Sequence, residues 1–406
     1  VMLKSAETLK EVKNSDAFGV IDVDTSKAKL DLEKVQARKK NIVDQLVAGV
    51  GGLLRKNKVD VLVGQGKLLD KNTIQVEDRE VYAKNIIIAT GSSSKNLPIK
   101  IDSKAKVLTS TQALDLTELP QNITIIGGGV IGIEFAYFLG SLGTKVTILE
   151  FLDRILPMID EEIGQEVTKQ LKNMGIAIVT GAKVSEIKRD QVIFEKDGQL
   201  MEVQANKVLM SVGRVPNVKG LNLEQVGIQT RNGAILTNEF MATNVEGIYA
   251  IGDVNGKSML AHTASKEGIV AVNNICGNKM EMDYSTIPNG IYIQPEIASV
   301  GLTEEEARQK YGQIKVGKFP LIANGKAKVS GDERGLIKLI AETKYNEIVG
   351  AHIYSSRATD MISELTLAMD LECTAEEIAM AVHPHPTISE AINEACHAVL
   401  GRPIHF

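Results

Sequence analysis

The stretch from Ile123 to Glu150 restricts what this chain can fold into more than any other feature. Ile123 to Ile126 is an apolar run of strand type, and Gly127, Gly129 and Gly132 follow at the G-x-G-x-x-G spacing. Val130 to Leu142 has helical periodicity, and Lys145 to Leu149 is a second strand that ends on the acid Glu150. In such a strand–turn–helix–strand unit each part has a task. Gly127 permits the tight turn, Gly129 lets backbone approach a pyrophosphate, and Gly132 allows close packing of helix on strand. The N-terminus of the helix offers unpaired N–H groups and the positive end of its dipole to an anion. Glu150 lies about twenty residues beyond the glycines, where a carboxylate accepts from an adenosine ribose 2′-OH. It would repel a 2′-phosphate, which argues for NAD over NADP.

Composition narrows the class. With 406 residues the chain is long enough for two or three domains, and 44% apolar with 24% charged residues is ordinary for a globular protein. No segment reaches the ~18 uninterrupted apolar residues of a membrane span. A net charge of −5 carries no basic footprint, so neither a membrane nor nucleic acid is an expected partner. Cys276, Cys373 and Cys396 lie far apart and form neither a metal motif nor a paired framework, which suits a reducing, cytoplasmic setting and no metal. Val1 leads into Met2-Leu-Lys-Ser-Ala-Glu-Thr-Leu-Lys, which is helical from its first residue with no N-cap ahead of it. The expectation is that a segment upstream is missing.

Around the dinucleotide unit, Leu30 to Lys56 reads as one long helix, weakened by Gly49, Gly51 and Gly52. Val59–Val63, Lys67–Leu69 and Thr73–Val76 read as short strands, and Lys84–Ala89 as a buried one. A helix is expected at Asp160–Met174, strands at Ile176–Val179, Gln191–Glu195 and Lys207–Ser211, and a helix at Ala261–Ile275. From Pro288 a different pattern begins: strands at Ile291–Ile293, Leu336–Ala341 and Ile348–Ile353, then helices at Asp360–Leu371 and Thr374–Val382.

Three further segments carry chemistry. Gly247-Ile-Tyr-Ala-Ile-Gly252-Asp253 is an apolar strand ending on an acid, where ligands bind in α/β proteins; by itself it could equally be a turn or a cap. Ile86-Ile-Ile-Ala-Thr90-Gly91-Ser92 is a buried strand ending in a tight turn. In His383-Pro384-His385-Pro386-Thr387-Ile-Ser-Glu390 two readings stand side by side. Thr387 and Glu390 have the spacing of a capping box opening a helix over Ile388–Leu400. Alternatively His385 is a general base whose tautomer Glu390 fixes.

Taken in this order, the motifs make the chain resemble the FAD-dependent pyridine nucleotide–disulfide oxidoreductases over essentially its whole length. The match includes Ala89-Thr-Gly-Ser92, Gly127 to Glu134, Glu150 to Pro157, Val212 to Asn217, Ala250 to Asp253, Met259-Leu260-Ala261-His262, Pro295 to Gly301 and His385 to Glu390. Met259 to His262 and Glu150 favour the lipoamide branch over glutathione reductase. The resemblance implies Rossmann-like FAD- and NAD-binding domains, the first of them incomplete, and a C-terminal α+β dimerisation domain. It implies residues 1–96 as the remainder of the FAD domain, 97–217 for NAD, 218–286 as the second part of the FAD domain, and 287–406 as the interface. Gly66, Thr90, Gly91, Ser92, Asp253 and Met259, Leu260, Ala261 and His262 would line the flavin site. Gly127, Gly129, Val130, Ile131, Gly132, Glu134, Glu150, Val184 and Gly213 would hold NAD. His385, with Glu390, would be the base that deprotonates dihydrolipoamide across a homodimer interface.

The implied activity is reoxidation of dihydrolipoyl groups through a disulfide and FAD to NAD. The implied partners are lipoyl domains and the acyltransferase core of 2-oxo acid dehydrogenase complexes. Two features of the family are not found in these residues: a first G-x-G-x-x-G for the ADP half of FAD, and a C-x-x-x-x-C pair. On that ground the 406-residue chain alone is expected to be inactive. The alternatives are a non-enzymatic module that binds NAD and dimerises, or another disulfide reductase of the same family.

Overall fold

The computed structural model describes residues 1–406. They divide into two compact units: Val1–Lys39 with Leu97–Val212 and Ser285–Phe406, and Lys40–Asn96 with Gly213–Tyr284.

In the first unit a five-stranded sheet runs in the order Ala177–Val179, Lys145–Leu149, Asn122–Ile126, Lys207–Met210, Val107–Leu108, with every pairing parallel. Its two central strands, Asn122–Ile126 and Lys145–Leu149, bury four consecutive residues each, so both faces are covered. This is why they read as unbroken apolar runs rather than alternating ones. The helix Val130–Ser141 and the helix Glu161–Asn173 supply much of the cover: Ile133, Ala136, Phe138, Ile163, Val167 and Leu171 pack in one cluster with Ile123, Ile125 and Ile148. A four-stranded layer, Gln199–Gln204, Gln191–Lys196, Lys183–Ile187 and Lys100–Ile101, packs beside it. The C-terminal part is an antiparallel sheet in the order Asn289–Ile291, Glu296–Gly301, Ile348–Ser355, Leu336–Glu342, Ile314–Pro320. Ile348–Ser355 is buried at every position. The helices Ala358–Asp370, Ala375–Met380 and Glu390–Val399 cover it through Leu365, Ile378, Ile392, Ala395 and Val399.

The second unit holds a parallel pair, Ile86–Ile88 with Ile248–Ala250, and a three-stranded antiparallel sheet, Gly66–Leu68, Thr73–Val76 and Arg79–Tyr82. It also holds the short pairing Ser92–Ser94 with Arg214–Pro216, and the helix Ala261–Ile275.

Two sequence expectations need correction. Val59–Val63 forms no strand, and Val63 is 91% exposed; no other segment of the chain offers a ladder, and β propensity without a partner makes no strand. The last helix begins at Glu390, with Ser389 as its N-cap, and not at Ile388. Residues 1–39 lie in the first unit, where Met2, Ala6, Leu32 and Val35 are buried in the same cluster as Ile133. No helix is long and apolar enough to cross a membrane.

Candidate functional site

Three clusters carry the chemistry. The first is the glycine turn. Gly127 has φ +104°, and a Cβ there would meet the Ser211 carbonyl at 2.4 Å. A Cβ on Gly132 would sit 2.1 Å from the Gly127 carbonyl, which also accepts from the Ser211 hydroxyl at 3.0 Å. Both glycines are therefore demanded by the protein's own packing. Gly129 is different: a Cβ there would meet nothing within 4 Å. The space above it is left open at the N-cap of the helix Val130–Ser141, whose cap makes no side-chain hydrogen bond. A pyrophosphate fits that opening.

Glu150 stands just past the neighbouring strand and is 8% exposed. One carboxylate oxygen accepts the Gly128 N–H at 2.5 Å, the other the Leu152 N–H at 2.8 Å. Two backbone donors thus fix its plane while each oxygen keeps a lone pair for a hydroxyl. Val130 and Ile131 begin the helix, and Glu134 lies one turn on. Glu134 accepts the Tyr292 N–H at 2.9 Å, and burial, opposed by that hydrogen bond, raises its carboxyl above the usual range. With Tyr137 and Tyr292 it lines a cavity of about 890 Å³ that reaches Pro386 and Thr387. Val184 is buried with Ile126 and Leu149, the residues that directly precede Gly127 and Glu150. Gly213 falls in the second unit, where its carbonyl accepts the Lys95 N–H.

These contacts separate two substitutions. Gly132→Ala is expected to cost ~1–3 kcal/mol of stability, since backbone must shift to admit the methyl. Gly129→Ala should melt with the parent yet bind NADH at least ~10-fold more weakly, a loss of about 1.4 kcal/mol. Thermal melting and a fluorescence titration of both variants check this. A Gly129→Ala protein with parental NADH affinity would refute it.

The second cluster lies in the second unit. Asp253 follows Gly252 at the end of the strand Ile248–Ala250, in a short 3-10 turn. Its carboxylate accepts from the Ser92 hydroxyl, and Arg214 Nε lies 3.7 Å away. Arg214 in turn donates to the Ser92 Oγ at 2.6 Å and the Ser92 carbonyl at 2.7 Å. Thr90 Oγ1 donates to the Asn217 carbonyl, and the Asn217 side chain donates back to the Thr90 carbonyl. Gly91, at φ +70°, has nothing within 4 Å of where a Cβ would be. Two strand ends are thereby tied together around an acid with acceptor capacity to spare and an open glycine beside it, which suits a flavin's hydroxyl-bearing chain. Met259 and Leu260 lead into the helix that begins with Ala261 and His262, whose N-cap also lacks a side-chain bond. Gly66 sits apart, exposed on the three-stranded sheet. Arg214 had a sequence signal, lying inside Gly213-Arg-Val-Pro216, but its role as the clamp on Ser92 had none.

The third cluster is His385 and Glu390. His385 Nδ1 is 2.9 Å from Glu390 Oε1, and Glu390 Oε2 accepts the Thr387 N–H at 2.8 Å. The reciprocal half of a capping box is not formed, because the Thr387 hydroxyl donates to the Pro384 carbonyl instead. One carboxylate thus holds the imidazole with one oxygen and shapes the loop with the other. Burial opposes its charge, but the Thr387 N–H and the His385 ring outweigh it and hold Glu390 below the usual carboxylate range. The His385 side chain is 80% exposed, so with Nδ1 engaged its Nε2 is the nitrogen offered outward. His383 is oriented separately, by Glu364 at 2.8 Å and the Ala381 carbonyl.

A doubly wound Rossmann-like domain with a glycine turn, followed by an antiparallel domain carrying an outward-facing histidine–acid pair, defines a nucleotide-dependent oxidoreductase class. Residues 2–268 match the family model "Pyridine nucleotide-disulphide oxidoreductase", and residues 287–396 match its dimerisation domain. The chain belongs to the pyridine nucleotide–disulphide oxidoreductase family. It is 45% identical to a dihydrolipoyl dehydrogenase of Bacillus subtilis, covering 100% of this chain and 89% of that protein. It is 39% identical to a mitochondrial dihydrolipoyl dehydrogenase of Pisum sativum, covering 100% and 83%. Among solved structures it resembles LpdA from Mycobacterium tuberculosis, with a TM-score of 0.88 at 26% identity over 98% of this chain and 88% of that one. It also resembles the HOCl-induced flavoprotein disulfide reductase RclA from Escherichia coli, with a TM-score of 0.84 at 27% identity over 97% and 88%.

Proposed function

We propose that this protein is a dihydrolipoyl dehydrogenase, reoxidising dihydrolipoyl groups and passing their electrons through a disulfide and FAD to NAD. The observation that carries the reading is the His385–Glu390 pair: an exposed imidazole oriented by a carboxylate, on a chain that also bears an NAD-type glycine turn. The domain assignment follows: 97–217 for NAD, 1–96 and 218–286 for flavin, and 287–406 for dimerisation. Bound flavin and NAD supply the hydride chemistry. The chain's own residues do the rest. Gly127, Gly129, Gly132 and the N-terminus of the helix at Val130 and Ile131 receive the NAD pyrophosphate, and Glu150 accepts from its ribose. Thr90, Gly91, Ser92, Asp253 and the segment Met259 to His262 face the flavin.

In a protein that carries the family's C-x-x-x-x-C pair, His385 Nε2 takes the proton of a dihydrolipoyl thiol, and the resulting thiolate attacks that redox disulfide and displaces its other sulfur as a thiolate; Cys276, Cys373 and Cys396 do not supply the pair. Glu390 holds the ring in the tautomer that leaves Nε2 unprotonated, then stabilises the imidazolium that forms. In a homodimer this base serves the other copy. Its partners are the lipoyl domains and acyltransferase core of a 2-oxo acid dehydrogenase complex. The three free cysteines support a reducing, cytoplasmic setting.

The test is nucleotide choice together with substrate choice in the full protein. Dihydrolipoamide should reduce NAD far faster than NADP, and Glu150→Ala should narrow that gap by about tenfold or more, through loss of both the ribose hydrogen bond and the repulsion of a 2′-phosphate. Equal rates with the two nucleotides, or reduction of glutathione disulfide in preference to turnover of dihydrolipoamide, would overturn the reading.

A further inference from the structure

Glu267 lies in the middle of the helix Ala261–Ile275 and is 0% exposed. Its Oε2 accepts the Gly252 N–H at 2.5 Å, and its Oε1 accepts the Tyr284 hydroxyl at 2.6 Å. Burial, then the bond to Glu267, pushes the Tyr284 phenol far above its ordinary range, so its O–H remains a donor. Lys257 Nζ stands 5.3 Å from the centre of the Tyr284 ring. Gly252 has φ +70°, and a Cβ there would come within 3.2 Å of Ala264, so this turn is built tight against the helix that carries Glu267. A buried carboxylate is costly unless hydrogen bonds compensate it, and an apolar side chain would fill the same helix face at less cost. What only the carboxylate provides is a grip on the backbone N–H that immediately precedes Asp253.

We propose that Glu267 is a positioning residue for the flavin: it locks the Gly252–Asp253 turn so that the Asp253 carboxylate meets the hydroxyls of the ribityl chain. This rests on the flavin reading above. Glu267 touches no cofactor itself and acts through Asp253, while Tyr284 orients Glu267 from the opposite side. Neither residue carried a signal in the sequence, where Glu267 is one polar position on an amphipathic helix.

The experiment is a double-mutant cycle on flavin affinity in the full protein, read as recovery of free FAD fluorescence on dilution, with melting of the flavin-free proteins measured in parallel. Glu267→Gln keeps one acceptor and loses the charge. A hydrogen bond to a charged group is worth ~1.5–3 kcal/mol, so FAD should bind about tenfold or more weakly. Asp253→Asn should weaken FAD comparably, and the double variant should be no more than about twofold weaker than Asp253→Asn alone, the mark of residues acting as a unit. A purely structural role for Glu267 would lower melting while its effect on FAD affinity multiplied with that of Asp253→Asn, and that result would overturn the proposal. So would parental FAD affinity in Glu267→Gln. If Glu267→Gln fails to fold, Tyr284→Phe serves instead: a loss of about threefold or more in FAD affinity supports the proposal, and none overturns it. A parent protein that does not bind FAD at all would sink the flavin reading and this inference together.

Discussion

In a protein that carries the family's C-x-x-x-x-C pair, replacing His385 by Ala is expected to lower turnover of dihydrolipoamide by ~10² or more, the usual scale for removing a general base. An unassisted thiol with a pKa above ~8 is mostly protonated at neutral pH, so without the imidazole little of the substrate is in its attacking form. NADH oxidation by an artificial one-electron acceptor needs only the nucleotide and flavin sites, and should survive. Comparing the two assays on one sample separates loss of the base from misfolding. Glu390→Gln sharpens the point. The carboxylate accepts from two donors at once, the His385 ring and the Thr387 N–H. A glutamine has one acceptor oxygen, so one of those donors would face an NH₂ group. The expected result is a loss of about tenfold or more in the lipoamide rate with the acceptor assay intact. A lipoamide rate near that of the parent in His385→Ala would remove this residue from the mechanism.

Lys338→Met should be the most destabilising single change away from the cofactor sites, at ~3–5 kcal/mol, because it strands buried charge. The Lys338 side chain is 3% exposed and holds Asp160 and Glu304 at 2.8 Å and Glu162 at 3.1 Å. Asp160 is itself 2% exposed; it caps the helix Glu161–Asn173 and accepts the Glu304 N–H. The cluster therefore fastens the parallel-sheet domain to the C-terminal antiparallel sheet, all within the first unit. Lys338 pairs across strands with His352, whose complete burial lowers its pKa and so favours the neutral ring.

Burial opposes every charge in this cluster. Even so, the hydrogen bonds to Asp160 and Glu304 raise the pKa of Lys338, and Lys338 lowers those of Asp160 and Glu304. A raised lysine contributes stability that is fully present below its unfolded pKa, near 10.5, and is lost as pH climbs through the folded value. Depressed carboxyls contribute above their unfolded values near 4 and lose that contribution as pH falls through the folded ones. The deficit of Lys338→Met relative to the parent should therefore be greatest between these limits. It should shrink as pH drops into the carboxylate range and again as it rises past the lysine range. Urea midpoints of both proteins across pH would record it, and a deficit independent of pH would mean that lost packing, not stranded charge, is responsible.

What could be read without a structure was whatever depends on short stretches of chain. The strand Lys145–Leu149 and the helix Ala261–Ile275 fall where periodicity put them, and the helix Val130–Ser141 ends one residue early. Gly127 and Gly132 are legible because a positive φ and a carbonyl five residues away are local constraints; the Ser211 carbonyl that also excludes a side chain from Gly127 is not. The strand Gln199–Gln204 was missed because it is largely exposed and shows no inward-facing stripe. Val59–Val63 was misread because a strand exists only when another chain segment pairs with it. The tertiary structure alone decided which polar groups are joined across long separations: Lys338 to Asp160, Arg214 to Ser92, and Glu267 to the N–H before Asp253. It also decided that Glu390 orients His385 while its helix starts later, a choice the T-x-x-E spacing left open. Backbone preference and apolar periodicity act over a few residues and leave a trace in residue order. A buried charge finds its partner only when folding has removed water from around both, and nothing in the order of residues records which two will meet.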